Sequence, residues 1–175
     1  MLYRMTTCLA LAFALTIGFG PAVAQEKEVQ KAGPEDQFLL KAAMANNAVV
    51  RITELVEARS DNQKVEEFAR LVLADHKKAG DKLGEIAKKR NVGVAAGLEQ
   101  PTRDEVDRLS KLKGAEFDKA FLDAFIRGHE ACLKHCDEVT TTGKEETTVG
   151  FGKECKTMIE RHLKMAKELR QGLGN

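Results

Sequence analysis

Two long stretches near the C-terminus repeat apolar side chains at alternating spacings of three and four residues, and no other feature restricts the fold as much. In the first, Leu122, Phe125, His129, Cys132, Cys136 and Val139 share one face. In the second, Phe151, Cys155, Met158, His162, Met165 and Leu169 do the same. This period belongs to amphipathic helices that bury a seam against a partner. Folding the pair antiparallel about residues 140–148 sets His129 opposite His162, the two position numbers summing to 291. Cys136 and Cys155 have the same sum, so one register brings both pairs together.

The preceding chain repeats the pattern. Phe38, Ala42, Ala45, Val49, Ile52 and Val56 predict a helix over 34–59, with Pro34 in its first turn and Glu35 and Asp36 on its positive end. Ser60 with Gln63 reads as a capping box for a helix over 61–90, carrying Val65, Ala69, Val72, His76, Ala79, Leu83 and Ile86. Gly80 and Gly84 in that helix offer another backbone a close approach, and Asn91 and Gly93 end it. Thr102 with Glu105 predicts a second capping box and a short helix over 102–113, which Gly114 breaks. Helices over 115–140 and 148–171 complete the chain. Strand-type alternation is absent. The expectation is an all-α, ferritin-like four-helix bundle over 34–172, built from two antiparallel hairpins with a long crossover that contains the short helix.

Ahead of this domain, Arg4, the apolar run Leu9 to Phe19 and Ala22-Val23-Ala24 read as a signal peptide over 1–24, cleaved after Ala24. Residues 25–33 read as a flexible tail. A periplasmic or secreted location is implied, with no transmembrane anchor after cleavage. Removing the leader takes away one charge, Arg4, and leaves 27 basic against 27 acidic residues. A chain so balanced offers no electrostatic case for nucleic acid. The basic clusters Lys88-Lys89-Arg90 and Lys164/Lys167/Arg170 lie near helix C-termini, where they complement the helix dipole. The single Tyr, Tyr3, leaves with the leader, and there is no Trp. That argues against stacking on sugars or single-stranded bases and against radical relay.

The chemistry rests on the polar residues in the stripes. His76, His129 and His162 lie near the middle of three different helices. Buried imidazoles need partners, and three that converge suit a transition metal such as Fe, Cu or Zn. Asp75 and Glu130, each beside one of these histidines, are candidates to ligate the metal or to orient an imidazole from behind. His135 lies off the main stripe, exposed or at the rim. A di-iron carboxylate centre is disfavoured, since Leu73 and Ile159 stand where a Glu-x-x-His motif needs Glu, and Val49 leaves the first helix without an acid. Cys136 and Cys155 are the disulfide candidate by register, with Cys132–Cys155 one turn away. A soft set of His129, Cys132, Met158 and His162 suits copper.

The ordered set Gln37-Phe38-Leu39, Ala42-Ala43, Val65 to Phe68-Ala69, Asp75-His76, Leu109-Ser110 to Gly114, Phe117-Asp118, His129-Glu130 and His162-Leu163 resembles a ferritin-like secreted bacterial family, domain of unknown function 4142. The resemblance spans about residues 35–170 and implies an envelope or extracellular bundle with no assigned activity. The chain departs from it at Val49, where members commonly carry Glu, and at Asn46-Asn47, where they carry a small pair. The expected function is that of a secreted, non-catalytic or weakly metal-binding bundle, in metal handling or envelope stress, with the histidine cluster either holding a metal or serving as a buried structural polar cluster. The alternatives are a metal-dependent oxidase or catalase-like enzyme, and a non-catalytic helical interaction module. The last implies a homo-oligomer or an envelope protein partner.

Overall fold

The computed structural model describes residues 32–94 and 97–174, so the expected leader and nearly all of the expected tail lie outside the described residues. The helices are α1 (Pro34–Thr53), α2 (Val56–Arg59), α3 (Gln63–Lys89), α4 (Gln100–Ser110), α5 (Gly114–Thr142) and α6 (Glu146–Gly172). Among the described residues there is no strand, and no helix is long and apolar enough to cross a membrane.

α1, α3, α5 and α6 form a four-helix bundle in which α1–α3 and α5–α6 are the two hairpins and α4 lies in the crossover. α1 also packs on α5, and α3 on α6, which places α3 and α5 on a diagonal. Polar contacts at the ends give the directions. Arg90, after α3, bonds Asp36 at the start of α1, and Lys144, after α5, donates its backbone N–H to Glu35. Both α3 and α5 therefore end where α1 begins and run parallel. A parallel diagonal pair is what a crossover spanning the whole bundle requires.

Local chemistry sets the boundaries, sometimes differently from expectation. The predicted helix 34–59 breaks at Glu54-Leu55, where Leu55 N–H turns back to Ile52 C=O in a tighter i–3 bond and α2 begins. α3 is capped by Asn62 rather than by a Ser60–Gln63 box. The Asn62 side chain accepts from Lys64 and Val65 N–H, while Ser60 Oγ accepts from Asn62 N–H. Thr102 is no cap either: α4 starts at Gln100 with Pro101 in its first turn, and Thr102 is already helical. Asn91 ends α3 as expected. It adopts φ 56, and the bonds Asn91 N–H to Lys88 and Val92 N–H to Ala87 close a Schellman turn.

The core has two apolar clusters stacked along the bundle. Phe38, Leu83, Val139 and Phe151 anchor one. Phe68, Phe117, Phe121 and Phe125 anchor the other. His76, His129 and His162 occupy the level between them.

Candidate metal centre

Each histidine sits on the buried stripe of its helix, and the three rings meet although the long crossover separates α3 from the α5–α6 hairpin. They are 5%, 1% and 0% exposed for His76, His129 and His162 respectively. Ring centroids lie 5.6 Å (His76–His129), 5.5 Å (His76–His162) and 5.8 Å (His129–His162) apart, a nearly equilateral triangle. Phe125 stacks on His129 at 3.8 Å, and Phe68 meets His162 edge-on. These two rings form the apolar floor of the layer.

One nitrogen of every ring has an oxygen acceptor. His76 Nδ1 is 2.9 Å from Asn46 Oδ1, His129 Nδ1 is 3.1 Å from the Phe125 carbonyl, and His162 Nε2 is 3.0 Å from Asp75 Oδ2. A carbonyl, an amide oxygen and a carboxylate can only accept, so each of these ring nitrogens carries the proton. The opposite nitrogens, His76 Nε2, His129 Nε2 and His162 Nδ1, are left as lone pairs, buried and without a hydrogen-bond partner. One ligand nitrogen from each residue lies within 4.8 Å of the others.

Burial sets the charge state. Desolvation, together with the neighbouring His162, holds His76 down at about 4. Desolvation and then the other two imidazoles push His129 well below the usual histidine range. His162 is lowered by desolvation, against the pull of Asp75. All three are therefore neutral near pH 7, the state in which imidazole ligates metal. Three donors on one metal, at about 2.0–2.1 Å from it, stand about 3.5 Å apart. The triad needs only a modest inward rotation to reach that spacing. The donor set fits a metal ion: a cation gives all three orphaned lone pairs one partner, where each left alone costs about 1–3 kcal/mol.

The other expected residues divide. Asp75 is not in the triad but behind it, on the outer nitrogen of His162, where it also accepts from Arg161. That is the orienting role of a group one shell out. Glu130 is not brought in. It is half-exposed and pairs with Lys167 at 2.6 Å, because its place beside His129 turns it about 100° off the seam. His135 is half-buried at the rim, as expected. Cys136 and Cys155 are both buried in the first apolar cluster, and with Cys132 they are free thiols in this structure. Asn46 escaped the sequence reading. Its signal was an amide beside the apolar stripe of α1, one turn from Val49. Gly80 makes room for it, since a Cβ there would lie 2.9 Å from Asn46 Nδ2. The close approach expected at Gly80 is thus by a side chain, and at Gly84 nothing lies within 4 Å.

The sequence pattern described as "Domain of unknown function (DUF4142)" matches residues 20–169. Among solved structures, the one described as "CopM in the Cu(I)-bound form" superposes with a TM-score of 0.69, covering 81% of this chain and 98% of that one at 12% identity. At that identity the likeness is one of fold. No curated protein sequence matches the chain.

Proposed function

The chain belongs to the DUF4142 family, and on that footing we propose that it is an exported metal-handling protein that binds Cu(I) at His76, His129 and His162. One observation carries the reading: each of three clustered imidazoles, with one ring nitrogen apiece within 4.8 Å of the others, keeps one buried nitrogen without a partner while its opposite nitrogen is held as a donor. Such an arrangement leaves the lone pairs of a metal site in place before the metal arrives.

The choice of Cu(I) follows from charge. Three neutral imidazoles and two phenylalanine rings supply no negative charge at the centre. The cost of placing an ion in a dry core rises with the square of its charge, so a monovalent ion is far cheaper than Zn(II) or Fe(II). Imidazole suits copper, and the structural neighbour is described in a Cu(I)-bound form. Binding rather than catalysis is the reading favoured by the partners of the triad among the described residues: Asn46, the Phe125 carbonyl and Asp75 all lie on the nitrogens opposite the proposed ligands, where they hold rings in place. Asp75 and Asn46 orient rings, and the aromatic floor excludes water. The leader over 1–24, cleaved after Ala24, accounts for export to the periplasm or beyond.

The test is anaerobic titration of chelator-stripped protein with Cu(I) against a chromophoric Cu(I) chelator, with Zn(II) in parallel. Tight uptake of Cu(I) at the triad is expected, with weaker Zn(II) binding. His76→Ala, His129→Ala and His162→Ala should each weaken uptake by more than the roughly 10–100-fold that loss of an orienting partner costs. Equal copper affinity in wild type and all three variants would rule the reading out.

A further inference from the structure

Beside the triad lies a small apolar cavity of about 50 Å³. His76 and His129 line it and His162 does not. The wall also carries four sulfur atoms, from Cys132 and Cys136 on α5 and from Cys155 and Met158 on α6. Cys132 and Met158 are half-buried and Cys136 and Cys155 buried, and no thiol is bridged. No carboxylate lines the cavity.

A buried Cys or Met alone is ordinary core filling. Four sulfur-bearing side chains lining one void, together with His76 and His129, supply soft donors to a single cavity. We propose that this cavity is a second station for a soft monovalent cation, Cu(I) foremost, held by Cys132 and Met158 with Cys136 and Cys155 beside them, and that it feeds the imidazole triad. The feeding step rests on the triad reading; the station does not. Soft thiol and thioether donors select Cu(I). Met158 binds without losing a proton. A cysteine that takes the ion releases its thiol proton to solvent, and the thiolate–Cu(I) pair is neutral, which suits a wall that is apolar apart from Asn46, Lys41 and the histidines.

The experiment counts ions by native mass spectrometry in the reduced chain titrated with Cu(I) and, as a redox-inert probe, Ag(I). Near-ultraviolet absorbance then reports sulfur-to-copper charge transfer, on a background free of Trp. Wild type is expected to take two ions and show the band. His162→Ala, which touches only the triad, should keep one ion and the band. Cys132→Ser/Met158→Leu should keep one ion without the band and load it more slowly. One ion without a band in wild type, or an unchanged count and band in the double variant, overturns the proposal and leaves the triad reading intact. One ion with the band in both wild type and His162→Ala overturns the triad reading and the feeding step, and leaves the sulfur station standing. Should the double variant fail to fold, Met158→Leu alone decides: nearly volume-conserving, it should weaken the banded ion by about tenfold or more, and an unchanged affinity overturns the station.

Discussion

A histidine's role here is set by the hydrogen bond at its far nitrogen. Asn46→Ala removes the acceptor of His76 Nδ1–H and frees that ring to rotate or change tautomer. Copper affinity should fall roughly 10–100-fold with helix content unchanged, as competitive titration and circular dichroism would show. Gly80→Ala provides the cross-check. It improves helix propensity by about 1 kcal/mol, yet its Cβ pushes the Asn46 amide away. Weaker copper binding without lost stability is expected, and undiminished binding would count against Asn46 as an orienting residue. Protons act on the same rings in the metal-free chain. His76 is depressed from 6.5 to about 4 and the other two are lowered, so between those limits the unfolded chain binds more protons than the folded one. Stability is then full above pH 6.5 and falls as pH drops toward 4. Urea midpoints measured across that window should decline, and a flat profile would contradict buried neutral imidazoles.

Helix contacts are decided by single atoms at close crossings. At Gly152 on α6 an added Cβ would stand 2.6 Å from Val139 Cγ1 of α5, whereas at Gly150 it would meet nothing within 4 Å. Gly152→Ala should destabilise by about 1–3 kcal/mol through overpacking. Gly150→Ala should be neutral or stabilising by up to about 1 kcal/mol. Paired thermal melts distinguish them, and similar shifts for both would mean that α5 and α6 are not this close. Asn62→Ala tests the cap of α3 and should cost about 0.5–2 kcal/mol. The α5–α6 hairpin also carries the Cys136–Cys155 register. Oxidation there would close a loop of about 20 residues and stabilise by roughly 3 kcal/mol in the chain-entropy account. Mass mapping of unreduced protein tests whether oxidation converts the free thiols of this structure into that bridge, which would withdraw Cys136 and Cys155 from the cavity; free thiols throughout would exclude it.

For the whole molecule, a ligand held only by the folded bundle is a stability term. Three helices from both hairpins contribute one imidazole each, so an ion at the triad ties the hairpins together. A free concentration a hundredfold above Kd adds about 2.7 kcal/mol, or about 2–4 °C in Tm per kcal/mol for a chain of this size. Chelator should reverse that rise, and His129→Ala should abolish it. A chelator-insensitive Tm in wild type would mean that the triad is structural only.

The helices, their buried stripes and the pairing of His129 with His162 were legible in the residues themselves, because a period of 3.6 fixes which side chains share a face and a short link fixes which helices are antiparallel. Capping was less legible: Asn62, Ser60 and Thr102 are all competent caps, and the choice depends on where the incoming chain leaves its last free N–H groups. Position next to a seam histidine could not separate Asp75 from Glu130. Both lie one residue from the stripe, and only the packing of α6 against α3 brings His162 and Arg161 to Asp75 while Glu130 faces solvent. Asn46 belongs to the same class. Its partner, His76, is 30 residues away on another helix. Periodicity along one helix determined what is buried, while the distance and angle between helices decided which buried nitrogen has a partner and which is left for an ion.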